Sequence, residues 1–160
     1  MEFNQTAYYK TPIGIAKIMG NEDGISSISI LDEVENFPIE IPTYLKECVQ
    51  QLEEYFKGSR TEFNLKLNPK GTEFQQKVWD DLQNVSFGTT KTYSEQAIKL
   101  GDIKAIRAVA AANGKNPIWI VIPCHRIIGT NGSLTGYAGG IWRKKWLLNH
   151  ENPSMQQSLF

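Results

Sequence analysis

Cysteine and histidine are scarce in this chain, two of each among 160 residues, and the formal net charge is zero. Each scarcity removes a class of explanation. Cys48 and Cys124 are too few to staple a small secreted fold. The opening residues Met1-Glu2-Phe3-Asn4-Gln5 carry no signal-peptide pattern, so both thiols are expected free in a cytoplasmic protein. No apolar stretch approaches the length of a bilayer span, which argues against a membrane protein. A zinc site would have to recruit Cys48, Cys124, His125 and His150, none at the short paired spacing of zinc ligands, so no metal is expected.

What is present is ordinary for a globular protein, 41% hydrophobic and 21% charged, enough for one compact domain or two small ones. The charge is unevenly placed. Residues 1–70 carry 7 Lys and Arg against 11 Asp and Glu, a net of −4, whereas residues 71–160 carry 10 against 6, a net of +4. Within 91–150 the balance is 9 against 2, which points to a polyanionic partner or to a solvated basic face.

In chain order, Thr6 to Tyr9, Ile13 to Met19 and Ile25 to Leu31 read as a small antiparallel sheet, separated by Thr11-Pro12 and Asn21-Glu22-Asp23-Gly24. Thr43 is placed to cap a helix whose Leu45, Cys48, Val49, Leu52, Tyr55 and Phe56 recur at helical spacing up to Gly58. Phe63 to Leu67 alternates like a half-buried strand, and Asn68-Pro69-Lys70-Gly71 marks a domain boundary, dividing 1–70 from 71–160. Thr72 with Gln75, and Thr92 with Glu95, form capping boxes. The first opens a helix with Phe74, Trp79, Val78, Leu82 and Val85 toward the core, the second a short helix ending at Gly101. Asp102 caps a further helix through about Asn113, giving a helix-turn-helix whose second helix is alanine-rich and carries Lys104 and Arg107. Its partner is either another helix of the chain or a DNA groove. Gly129 to Gly132 reads as a hairpin turn, Leu134 to Gly140, Thr135 included, as a glycine-rich ligand loop, and Arg143 to Glu151 as a final helix with Trp146, Leu147 and Leu148 inward. The tail from Asn152 lacks apolar pattern and reads as loose.

The organising stretch is Ile118 to Ile128. Ile118 to Ile122 reads as a buried strand, Pro123 ends it, and Cys124 follows with His125 and Arg126. A lone cysteine beside isoleucines is commonly a small buried hydrophobe. A protonated His125 and Arg126 would instead favour the thiolate, the nucleophilic form of sulfur. Cys124, His125 and Glu151 also contain the residue types of a cysteine hydrolase.

Ile122-Pro123-Cys124-His125-Arg126, then Gly136-Tyr137-Ala138-Gly139-Gly140 and Trp146-Leu147-Leu148-Asn149-His150-Glu151, closely resemble the O6-alkylguanine-DNA alkyltransferases, the methylated-DNA–protein-cysteine methyltransferases. Gly71 to Trp79, Phe87-Gly88 through Thr92-Tyr93, Ile106-Arg107-Ala108-Val109 and Asn116-Pro117 continue the resemblance in order. Tyr9 to Gly14 carries it weakly into the amino-terminal third.

The resemblance implies an α+β fold: an amino-terminal antiparallel sheet with a helix, ribonuclease H-like, and a mostly helical winged helix-turn-helix half. It implies direct repair of O6-alkylguanine in duplex DNA, with Cys124 taking the alkyl group irreversibly, once per molecule and without a cofactor. By the same resemblance His125 draws the Cys124 proton through water, Glu151 orients His125, and Tyr93 hydrogen-bonds the extruded base. Arg107 replaces the flipped guanine in the stack, on a helix docked in the minor groove with Lys104, Ala105, Ala108, Thr92, Tyr93, Asn113 and Lys115 facing DNA. Asn116 is the hinge to the active-site loop, and Tyr93, Asn116, Tyr137, Ala138 and Gly139 line the substrate pocket. Ala138 stands where some relatives have serine, which predicts room for alkyl groups larger than methyl; acceptance of O4-methylthymine is left open. A monomer is implied. The rival reading is a lesion-binding relative that performs no chemistry, which would replace the cysteine.

Overall fold

The computed structural model describes residues 4–134 and 136–155. The chain forms two compact units: one runs to Lys70 and includes Pro117–Trp119, the other comprises Gly71–Asn116 and the chain from Ile120 onward.

In the first unit β1 (Gln5–Thr11), β2 (Gly14–Asn21) and β3 (Gly24–Leu31) form an antiparallel meander. Both turns are closed by side chains: Thr11 Oγ1 accepts from Ile13 N at 3.0 Å, and Asn21 Oδ1 from Asp23 N at 2.8 Å. Alternation places Ala7, Ala16, Ile18, Ile28 and Ile30 inside. They share the unit's core with Leu45 and with Cys48, Leu52 and Tyr55 on α1 (Lys46–Lys57), which stops at Gly58 with φ 87°. Thr43 does not cap α1. It opens a 3-10 turn, Thr43–Leu45, with no side-chain cap bond, because the chain leaving Pro42 winds more tightly first.

Two expected strands are single bridges. Leu67 pairs only with Ile25 and Ile118 only with Ile28, both parallel, so extended segments cover the outer edge of β3. Ile118 to Ile122 is therefore no strand. After the bridge it turns, with Ile120 at φ 74°, because Pro117 and Pro123 leave too short a run for a ladder; its β-branched residues report burial, not pairing.

The second unit holds α2 (Glu73–Leu82), β4 (Lys91–Thr92), α3 (Tyr93–Lys99), α4 (Ile106–Gly114), β5 (Ile127–Ile128) and α5 (Ile141–Glu151). Both capping boxes are present, Thr72 with Gln75 and Thr92 with Glu95. Val78, Trp79, Leu82 and Val85 are buried, but Phe74 is 37% exposed, at the edge of the apolar face of α2. Trp79 ties α2 to α4, donating Nε1–H to Ala112 O at 2.9 Å; a Cβ on Gly71 would lie 2.4 Å from its ring. Gly101, at φ 107°, turns the chain between α3 and α4, and Asp102 accepts from Lys104 N to cap a 3-10 turn, Ile103–Ala105, from which α4 continues. The turn at 129–132 exists, but β5 leads into it paired parallel with β4. In α5 Trp146 is half-exposed and stacks on His150, while Arg143 and Lys144 are buried with Leu147 and Leu148. The tail continues as a short 3-10 turn, Pro153–Met155, and its remainder lies outside the described residues, as does Thr135.

Candidate active site and DNA face

Cys124, His125 and Arg126 form one 3-10 turn after Pro123, and this tight winding turns Cys124 to Asn116 while both His125 and Arg126 reach Glu151. Cys124 is 8% exposed, and its Sγ accepts from Asn116 Nδ2 at 3.2 Å; the same amide donates to Ile122 O at 2.7 Å. His125 Nε2 lies 2.7 Å from Glu151 Oε2. Arg126 grips the same carboxylate, Nε to Oε1 at 2.8 Å and Nη2 to Oε2 at 3.0 Å, and donates Nη1 to Val85 O at 2.7 Å.

The charges follow from these contacts. Burial pushes the Glu151 carboxyl up, but the contacts with His125 and Arg126 outweigh it and hold the group well below the usual carboxylate range. Burial also lowers His125 from 6.5, more than Glu151 raises it, so the ring is neutral at neutral pH and Arg126 supplies the compensating charge. An ionised Glu151 only accepts, so His125 carries its proton on Nε2. That leaves Nδ1 as a lone pair, buried and without a hydrogen-bond partner.

Burial pushes the Cys124 thiol up, opposed by Asn116, by the Lys144 ammonium and by the backbone N–H. This corrects the expectation that His125 and Arg126 hold a thiolate: one is neutral and the other committed to Glu151. The cation that favours ionised sulfur is Lys144, wholly buried on α5, its own pKa lowered to about 8, first by burial. Lys144 Nζ lies 6.0 Å from the centre of the Tyr93 ring. The sequence reading missed Lys144, although helical periodicity places it with Leu147, Leu148 and Glu151 on one face.

A cavity of about 520 Å³ opens beside this cluster, lined among others by Tyr93, Arg107, Thr130, Tyr137 and Ala138. Ile106, Ala110 and Gly114 of α4 join the lining unforeseen. Asn116 and Gly139 are not on it. Asn116 is turned onto Cys124 and Ile122, and Gly139 O accepts from Arg143. Nor does Cys124 line the cavity, but it is near enough to Tyr137 for a thiolate to oppose ionisation of the phenol. Burial already pushes that phenol well above its usual value, so it stays protonated.

Lys104, Arg107, Ala108, Ala111, Gly114 and Lys115 are exposed on the 3-10 turn and α4, a run of small residues flanked by cations. Ala105 is half-buried beside them. Thr92 is engaged as the cap of α3, its Oγ1 accepting from Glu95 N. Asn113 departs from expectation. It is 5% exposed and donates to Gln96 Oε1 at 2.7 Å, bracing α4 on α3 instead of facing outward, because a helical step of three to four residues puts it with Val109.

Among the described residues no helix is long and apolar enough to cross a membrane. Residues 73–153 match the family model "6-O-methylguanine DNA methyltransferase, DNA binding domain" and residues 5–69 "6-O-methylguanine DNA methyltransferase, ribonuclease-like domain". The methylated-DNA–protein-cysteine methyltransferase of Methanosarcina acetivorans is 43% identical over 150 residues, covering 91% of this chain and 96% of its own. The constitutive one of Bacillus subtilis is 41% identical over 166 residues, covering 98% and 99%. Among solved structures, the O6-methylguanine methyltransferase of Mycobacterium tuberculosis matches with TM-score 0.84 and 38% identity over 94% of each chain. The OGT of that organism in complex with DNA matches at 0.80 and 39%, over 94% of this chain and 91% of the other. With the mixed α+β architecture and the cysteine turn described above, these likenesses establish that the chain belongs to the 6-O-methylguanine DNA methyltransferase family.

Proposed function

We propose that the protein repairs O6-alkylguanine in duplex DNA by moving the alkyl group to Cys124, once per molecule. The observation that carries this reading is the contact of ionised Glu151 with His125 Nε2, which leaves Nδ1 of the residue next to Cys124 a buried lone pair, beside a thiol that Asn116 and Lys144 stabilise on ionisation.

In this mechanism the Cys124 proton passes through water to His125 Nδ1, Sγ bonds the alkyl carbon and the carbon–O6 bond breaks. Its electron pair moves into the guanine, where Tyr93 donates a hydrogen bond as charge develops and the base takes up a proton. The product thioether is no leaving group at neutral pH, so the thiol does not return. No cofactor enters this balance. Residues 1–70 serve as a structural domain, and residues 71–160 bind DNA and accept the alkyl group.

The exposed stripe of α4 supports docking in the minor groove of a duplex by a monomer. Lys104 and Lys115 neutralise phosphates, Ala105, Ala108 and Ala111 admit close approach, and Arg107 fills the gap left by the flipped base. Ala138 leaves room for alkyl groups above methyl, and a flipped O4-methylthymine presents the same methyl ether to Cys124. The reading places the work in the cytoplasm.

The test is Arg107→Ala, assayed against O6-methylguanine in a duplex and against free O6-benzylguanine, which needs no flipping. Transfer from the duplex is expected to slow about tenfold or more, with the free base unaffected within about twofold. Equal losses on both substrates would contradict the role of Arg107. Ethyl transfer too slow to measure beside methyl transfer would contradict the role of Ala138.

A further inference from the structure

One buried charge of the second unit takes no part in that mechanism. Arg143, 7% exposed at the start of α5, donates Nη1–H to Gly139 O at 3.1 Å, and its guanidinium carbon lies 4.6 Å from the centre of the Trp142 ring. Its charge also reaches the Tyr137 phenol, favouring ionisation there against burial.

The segment it holds is rich in glycine, and Gly140 O at its end accepts from Arg143 N and Lys144 N at 3.2 and 3.3 Å. Gly136, Gly139 and Gly140 supply three of the five residues at 136–140, two of them at φ 47° and 91°, and Ala138 has only a methyl group with which to anchor. One turn bond, Gly140 N to Tyr137 O at 2.9 Å, closes the segment on itself. Yet Gly136, Tyr137 and Ala138 form one wall of the cavity, so the position of this segment decides the cavity's width.

We propose that Arg143, its guanidinium over the half-exposed indole of Trp142, is a positioning residue that fixes the 136–140 wall and thereby sets the preference among alkyl groups. The inference rests on the alkyl-transfer reading above. A guanidinium suits the task because its planar face stacks while its edge donates, and a lysine reproduces only the donation. Releasing the wall costs methyl transfer most: a small group must be aligned with Sγ by the wall itself, whereas a larger group fills the slack and retains more of its alignment.

Arg143→Met, Arg143→Lys and Trp142→Ala are each titrated for reactive Cys124, so that rates are per competent molecule, and assayed on two duplexes that differ only in carrying O6-methylguanine or O6-ethylguanine. The methyl-to-ethyl rate ratio is expected to fall about tenfold in Arg143→Met, less in Arg143→Lys, which can still donate to Gly139 O, and least in Trp142→Ala. A wild-type ratio in Arg143→Met overturns the proposal. So does a reduced titre of reactive cysteine with that ratio unchanged, because Arg143 would then support only the fold. Wild-type protein that transfers neither group would fail at the alkyl-transfer reading itself, an outcome recognisable without any variant.

Discussion

The two units differ in what they bury. Among the described residues of the first, the buried polar side chains are Thr11 and Gln51, each occupied with nearby backbone: Thr11 closes the β1–β2 turn, and Gln51 clips Asn64 through its N–H and its carbonyl at 2.9 and 3.0 Å. In the second, His125, Arg126, Arg143, Lys144 and Glu151 are buried within a short stretch of chain. Burying a charge costs several kcal/mol unless it is paired and hydrogen-bonded, and folding alone gives no reason to place four charges and a histidine together in this way. On the proposed function, the first unit is built for stability and the second accepts a loss of stability to hold the alkyl-accepting cysteine.

Glu151→Gln strikes that contrast hardest. It leaves the Arg126 charge buried without its partner, and an expected loss of about 3–5 kcal/mol would be read from chemical denaturation at pH 7. The sign with pH follows from the direction of each shift. Glu151, held low in the folded state, contributes stability that is present above the ordinary carboxylate range and lost as pH falls through it. His125, held neutral, loses stability as pH drops below about 6.5 and the unfolded chain takes up the proton. The wild type should therefore weaken from about pH 6.5 downward and the variant should lack the Glu151 part of that fall.

Lys144→Met is expected to move stability the other way. Its pKa of about 8 lies below the ordinary 10.5, so the unfolded chain holds the proton more tightly and the folded state bears a penalty of up to about 3 kcal/mol below pH 8. The variant should be more stable by about 1–3 kcal/mol at pH 7, with the gain fading between pH 8 and 10.5, and its alkyl transfer at pH 7 should slow about tenfold or more for want of a cation near sulfur. A less stable Lys144→Met would break the comparison between the units.

Gln51→Ala, in the first unit, should cost about 1–2 kcal/mol through the two lost backbone bonds, with transfer per folded molecule unchanged. A slowed rate in the surviving folded protein would show that the first unit contributes more than stability.

What the sequence displayed depends on how local each feature is. The Thr72 and Thr92 capping boxes, the Gly58 stop and the Gly101 turn were readable because neighbouring residues complete them. Ile118 to Ile122 was misread because β-branched composition reports burial, and whether a ladder partner exists is decided far away in the chain. Asn113, placed on the DNA face by the resemblance, and Lys144, not singled out at all, share a cause: only helical phase shows that each faces inward. Cys124, His125 and Glu151 were named from the family motif, but the assignment of Arg126 to Glu151 instead of to sulfur needed coordinates.

The central claim is that Cys124 is the alkyl acceptor and is consumed. Intact-protein mass spectrometry after incubation with a duplex carrying one O6-methylguanine, with Cys124→Ser as control, tests it directly. The account requires wild-type protein to gain the mass of one methyl group, never more than one per molecule, mapped to Cys124, while the control gains none. Binding of the duplex with no gain in mass would contradict it and make the protein a lesion sensor.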